Sequence, residues 1–72
     1  METQRQTVKL IRGGDYLAEV RVTLIEDGTA WSPYLTQEDA MKLDAVRLAL
    51  QRGDIETAKK HGRVFELLPI SA

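Results

Sequence analysis

The side chains that could do acid–base or nucleophilic chemistry are few and scattered in this 72-residue chain. His61 is the single histidine, and it stands between Lys60 and Gly62 at the expected end of a helix. A nucleophile needs an adjacent base, whereas a cation near a helix C-terminus stabilises the helix dipole. We therefore interpret His61 as a residue of a last helical turn, and we predict that the chain is not an enzyme and has no catalytic residues.

Metal-ligating residues do not form a recognisable set either. The acidic pairs Glu26-Asp27 and Glu38-Asp39 fit a turn and a helix start, and neighbouring side chains point in different directions, so neither pair is a carboxylate dyad in itself. The absence of cysteine excludes a disulfide and a thiolate metal site, and one histidine cannot build a zinc site. We expect no metal and no cofactor.

Gly13-Gly14 could suggest a phosphate-binding loop, but such a loop leads from a strand into a helix. Here the glycines join residues 6–12 and 16–25, and the second segment alternates apolar and polar residues as a half-buried strand does. A hairpin turn is the better interpretation. We favour a three-residue loop, because it sets apolar residues opposite one another. That register pairs Val8 with Val20, and Leu10 with Ala18.

A second turn follows at Asp27-Gly28, a dipeptide that favours a tight hairpin. The hairpin would place Trp31, in a short third strand over residues 29–32, opposite Leu24. Pro33 would end that strand because proline gives no donor to the ladder.

Capping signals predict two helices in the second half of the chain. Thr36 begins a capping-box-like start, and the first helix should run to about Arg52. Asp54 should cap a short second helix through about His61. Residues 63–70 are typical of a last strand.

The order β-β-β-α-α-β predicts a single α+β domain over residues 1–72. We expect a small antiparallel sheet with two helices packed on one face, and we expect residues 1–5 to be disordered.

The first helix carries more apolar surface than one sheet needs. One stripe, made by Leu43, Val46 and Leu50, should face the sheet. A second stripe, made by Met41, Ala45 and Leu48, lies roughly 160–180° round the helix at 100° per residue. A domain of this size usually needs a disulfide, a metal or an oligomer to be stable. We therefore expect a protein partner or a homodimer to cover part of the second stripe.

Candidate interface residues come from this stripe and from the segment just before the first helix. Trp31 and Tyr34 are residue types enriched at binding hot spots, as is arginine, although a lone tryptophan in a domain of this size more often belongs to the core. The candidate partner interface consists of Trp31, Tyr34, Met41, Arg47 and Leu48.

Charge argues against nucleic acid as the main partner. Ten basic residues meet eleven acidic ones, and the pI is about 5.7, whereas a dedicated nucleic-acid binder usually has a basic stripe and a high pI. The one basic cluster is interpreted as a solvated helix end. The alternative function is a small nucleic-acid-binding regulatory protein. It would use Arg47, Arg52, Lys59, Lys60 and Arg63.

No apolar run approaches the length of a membrane-spanning helix. The first residues also lack the basic-then-apolar pattern of a signal peptide. We therefore expect a cytoplasmic protein with no membrane association.

The block Trp31-Ser32-Pro33-Tyr34-Leu35-Thr36, followed by Glu38-Asp39-Ala40, resembles small bacterial proteins of unknown function that can be encoded beside toxin–antitoxin partners. The resemblance covers about residues 15–70 and assigns no role to any residue. It implies an antitoxin-like protein. Together with the apolar stripe and the missing catalytic set, it leads us to expect a non-catalytic protein-interaction module, antitoxin-like or an accessory subunit, that binds itself or another protein.

Overall fold

A computed structural model describes residues 2–28 and 32–71 of the chain. The structure contains a four-stranded antiparallel sheet and two helices, so the predicted α+β class and element order are confirmed. In chain order the elements are β1 (Thr3–Gly13), β2 (Tyr16–Glu26), β3 (Tyr34–Leu35), α1 (Gln37–Gln51), α2 (Ile55–Lys59) and β4 (Arg63–Glu66).

β2 is the central strand of the sheet. β1 pairs with it along its whole length, including residues 3–5, which we had expected to be disordered. The other edge of β2 is shared: β4 pairs with residues 16–19, and β3 pairs with residues 24–25. Within the described part of the chain, residues 20–23 therefore have no strand partner on this side.

The loop of the first hairpin differs from the prediction. It has two residues, Gly14-Asp15, and Gly14 has φ +59° while Asp15 keeps a negative φ, the pattern of a type II′ turn. Ile11 lies opposite Ala18, so the predicted pairing of Leu10 with Ala18 is wrong by one residue. A one-residue slip moves every side chain of a strand to the other face of the sheet.

The third strand also lies later than predicted. Residues 27–33 connect β2 to β3, and Leu24 lies opposite Leu35 rather than Trp31. Pro33 precedes the strand instead of ending it, which suits a residue that cannot donate to the ladder. Trp31 and most of the predicted strand 29–32 lie outside the described residues.

The helix boundaries follow the capping signals. Thr36 Oγ1 accepts a hydrogen bond from the Asp39 N–H at 3.1 Å, and the Asp54 carboxylate accepts one from the Thr57 N–H at 3.2 Å. Gly53 has φ +72° just after α1, as expected for a residue that ends a helix. The second helix and the last strand are shorter than predicted, and end at Lys59 and Glu66.

The core lies between one face of the sheet and both helices. The predicted stripe of α1 is confirmed, since Val46 and Leu50 are buried and Leu43 packs against them. The buried cluster consists of Ile11, Ala18, Val20, Val22, Val46, Ala49, Leu50 and Ala58. The other face of the sheet has no helix packed on it in the described residues.

Asp39 ties the start of α1 to the unpaired stretch of β2. Its Oδ2 accepts a hydrogen bond from the Thr23 N–H at 2.7 Å, and its Oδ1 lies 3.3 Å from Lys42 Nζ. Lys42 therefore pairs with the residue three positions before it on the same helix. The hydrogen bond from the Thr23 N–H, and to a smaller extent the interaction with Lys42, hold the pKa of the Asp39 carboxyl below its usual value.

We expect Asp39→Ala to lower the free energy of unfolding by about 1–3 kcal/mol, because it leaves the Thr23 N–H without its charged acceptor. A carboxyl with a lowered folded-state pKa contributes stability that is fully present above its unfolded-state pKa, about 3.9. This contribution disappears as the pH falls through the folded-state pKa. Urea unfolding at neutral and acid pH should show the difference between variant and wild type shrinking in acid.

The control is Asp44→Ala on the exposed side of the same helix, which removes only the Arg47 ion pair. It should change the free energy of unfolding by less than about 1 kcal/mol. Equal losses in the two variants at neutral pH would contradict the role given to Asp39.

Candidate functional site

The uncovered face of the sheet carries apolar side chains on three neighbouring strands. Leu10 is 64% exposed, Val8 44% and Phe65 37%, while Leu17 is half-buried between β1 and β4. We call these four residues the open-face patch. Scattered exposed apolar residues are ordinary on a protein surface, but a contiguous group of them marks an interaction site.

Strand register explains how the patch is assembled. Leu17 lies opposite Arg12 on β1 and Phe65 on β4, and the next row joins Leu10, Glu19 and Arg63 across the same strands. Apolar and charged side chains therefore alternate on this face. Its charged residues are Arg12, Glu19, Arg21 and Arg63.

Arginine dominates the charge of this face. Three of its four charged residues are basic, and the Arg63 guanidinium lies 5.1 Å from the centre of the Phe65 ring. Aromatic residues and arginine are enriched at the centres of protein interfaces, whereas lysine and glutamate are depleted there. The face therefore combines residue types that are common at interface centres with a net positive charge.

The sequence-predicted interface on α1 is exposed but sparse. Met41 is 63% exposed and Leu48 49%, and both lie on the helix away from the buried cluster. Arg47 extends into solvent, where its Nη1 lies 3.1 Å from Asp44 Oδ1. This stripe has two large exposed side chains, Met41 and Leu48, with the half-buried Ala45 between them. It does not join the open-face patch, which lies on the opposite side of the sheet.

Tyr34 lies at the end of the molecule formed by β3 and the first residues of β1. Tyr34 is 43% exposed. Partial removal of the phenol from water, the nearby carboxylates of Asp27 and Glu2, and a hydrogen bond with Asp27 raise the pKa of Tyr34. A phenol that stays neutral and pairs with a carboxylate is a local structural contact. Trp31, its predicted neighbour in the interface, lies outside the described residues.

The predicted nucleic-acid contacts do not form one surface. Lys59 pairs with Glu56 at 3.6 Å. Arg52 and Lys60 are exposed near Asp54. The pKa of the Asp54 carboxyl is lowered mainly by its hydrogen bonds to Thr57 and further by the charges of Lys60 and Arg52. Arg63 instead belongs to the sheet, beside Phe65.

Two classes of site find no support in residues 2–28 and 32–71. No group of three or more acidic or histidine side chains is placed to hold a metal ion there. No helix among these residues has the length and apolar character needed to cross a membrane.

The chain matches no protein family, no curated protein and no solved structure with which it was compared. The function is therefore inferred from the surface of the molecule. Sequence reasoning missed the open-face patch because the three-residue loop turned Val8 and Leu10 toward the core. The glycine pair at positions 13 and 14 also allowed a two-residue turn one position later, which gives the observed register.

Proposed function

We propose that this chain is a non-catalytic protein-interaction module, antitoxin-like or an accessory subunit, that binds a partner protein through the open face of its sheet. The observation that carries the proposal is the open-face patch. Val8 and Leu10 on β1 and Phe65 on β4 expose apolar surface on a face that the described helices leave bare. The shape of the molecule supports this use: its extents are 49 × 28 × 16 Å, so the long β1–β2 hairpin offers a broad and shallow surface.

Charge favours a different chain over a second copy as the partner. A two-fold dimer through this face would bring two sets of Arg12, Arg21 and Arg63 together, and like charges opposed across an interface cost several kcal/mol. A partner with acidic side chains around an apolar centre would be complementary. The Met41–Leu48 stripe remains the candidate surface for self-association.

The nucleic-acid alternative has less support. Two of its five basic residues, Arg47 and Lys59, are engaged with neighbouring carboxylates. A duplex or single strand would need those charges free and aligned to neutralise phosphates.

Two matched double variants test which face binds. Val8→Gln with Leu10→Gln removes the apolar side chains of β1 from the patch, and Met41→Gln with Leu48→Gln makes the same change on α1. Hot-spot residues cost about 2 kcal/mol or more when lost, a factor of about thirty in affinity. The partner is isolated from the native host on the wild-type protein, and its affinity for each variant is then measured in a purified assay. We expect the β1 variant to bind the partner more weakly by this factor, because it lacks two apolar side chains of the patch.

We expect the α1 variant to keep partner affinity within about twofold, and both variants to change the free energy of unfolding by no more than about 1 kcal/mol, as exposed substitutions do. Retention of the partner by the β1 variant and its loss by the α1 variant would contradict the use of the open face. Salt-sensitive retention of nucleic acid without a protein partner would support the alternative function instead.

A further inference from the structure

A small basic hollow opens at the edge of the sheet, beside the stretch of β2 that has no strand partner. It has a volume of about 240 Å³ and is bordered by residues of β2, α1 and the turn into β4. Its lining residues are Glu19, Arg21, Lys42, His61, Gly62 and Arg63. Three of these side chains are permanent cations and one is a carboxylate.

The cations of the hollow are only partly neutralised. Lys42 pairs with Asp39, which lies just outside the lining. Arg21 and Arg63 form no ion pair with any carboxylate in residues 2–28 and 32–71, although Glu19 lies in the same hollow. Arg21 and Arg63 are exposed, so water screens their repulsion, but an anion bound in the hollow would be attracted by both of them.

The backbone adds a donor at the same place. The Thr23 N–H points away from β1, toward Asp39. Peptide groups of a strand alternate in direction with a period of two residues, so the N–H of Arg21 points to the same side. That side of β2 has no strand partner between β4 and β3. The peptide N–H of Arg21 therefore lies on the border of the hollow with the cationic side chains.

Gly62 lines the hollow and lies close to the backbone of β2. A Cβ at this position would collide with the carbonyl oxygen of Glu19, so only glycine lets the chain come this close to β2. The close approach brings His61 and Arg63, on either side of the glycine, to the same edge of the sheet as Arg21.

We propose that this hollow binds the phosphate group of a small molecule. Guanidinium groups bind phosphate through paired, charge-assisted hydrogen bonds, and Lys42, His61 and the Arg21 N–H add further donors from other directions. The volume of about 240 Å³ is below the roughly 300–1,000 Å³ of pockets for drug-sized ligands, so it would enclose one or two phosphate groups while the rest of a larger ligand lies outside the hollow. This site goes beyond the proposed protein interface, because Lys42 and His61 do not belong to the open-face patch.

The test is a titration of the full chain with inorganic phosphate and with pyrophosphate, followed by backbone amide NMR. Ionic strength is held constant with chloride. We expect saturable shifts confined to Arg21, Gly62 and Arg63, with pyrophosphate binding more tightly than phosphate. Arg21→Gln and Arg63→Gln should each weaken pyrophosphate binding by about tenfold or more, the effect of losing a hydrogen bond to a charged group.

Two further variants separate a built site from general attraction. Glu19→Gln removes the one carboxylate of the lining and should tighten binding severalfold. Arg12→Gln removes an exposed arginine of the same sheet face that does not line the hollow, and should leave affinity within twofold. Amide spectra of each variant confirm that it is folded.

The proposal is overturned if shifts do not saturate, if they are spread over all basic residues, or if Arg12→Gln weakens binding as much as Arg21→Gln. It is also overturned if only a single-stranded oligonucleotide binds and its shifts extend to Arg47, Arg52 and Lys59. Neither result bears on the protein interface, which Val8→Gln with Leu10→Gln tests independently.

Discussion

Leu50→Ala is expected to lower the free energy of unfolding by about 2–5 kcal/mol, the usual cost of a cavity at a buried leucine. Leu50 is 4% exposed, belongs to the buried cluster and lies beside Gly13, where the first hairpin turns. A Cβ placed on Gly13 would be 2.6 Å from Leu50 Cβ, so helix and hairpin are already in close contact here. With a total stability of about 5–15 kcal/mol for an ordinary domain, the variant should melt far below the wild type.

Leu48→Ala is the matched control, two residues earlier in the same helix but half-exposed. It should change the free energy of unfolding by no more than about 1 kcal/mol. Thermal and urea unfolding of the two variants provide the comparison. Similar losses in both would show that the Leu48 side of α1 is covered, and would return the candidate interface to that helix.

Gly62→Ala is expected to be the second most damaging change, with a loss of about 1–3 kcal/mol or more, because a methyl group must be forced into a closely packed position. The obstacle is the backbone of Glu19 and Val20, which cannot rotate away as a side chain could. The pairing of β4 with β2 should therefore open first.

Amide hydrogen exchange gives this prediction its specific readout. Protection should fall at β4 and at Leu17 and Glu19 of β2, whose amides face β4, while the amides that pair β1 with β2 stay protected. A variant with wild-type melting temperature and wild-type exchange would show that the turn into β4 does not need glycine.

Local signals in the sequence predicted the helical half well. Thr36, Asp54 and Gly53 act through hydrogen bonds and backbone angles within a few residues, so their effects can be seen in the sequence itself. The stripe that includes Val46 and Leu50 is buried as its helical spacing predicts. The ends of α2 and β4 were placed too late, since neither end has a capping residue as clear as these.

Strand register could not be fixed in the same way. Val8 and Leu10 satisfy apolar pairing in the predicted register, but the observed register buries Ile11 opposite Ala18 and leaves Lys9 opposite Val20. The turn decides between them, and Gly14 with φ +59° serves the two-residue loop. Pairing rules favour apolar contacts everywhere, so they cannot reveal a face on which apolar residues stay exposed.

The basic hollow was beyond prediction for a different reason. Arg21, Lys42 and Arg63 come from three elements that are far apart in the sequence. They meet because the second edge of β2 is divided between β4 and β3 and leaves a gap. Sequence clustering pointed instead to Lys59 and Lys60, whose side chains lie along a short helix and its end.

The most direct test of the proposed function is NMR of the methyl and aromatic side chains when the partner protein isolated from the native host is added to the wild-type chain. If the open-face patch binds the partner, the signals of Val8, Leu10, Leu17 and Phe65 should shift or broaden in a saturable way, while those of Met41 and Leu48 should stay in place. Perturbation of Met41 and Leu48 with an unchanged open-face patch would contradict the proposed function.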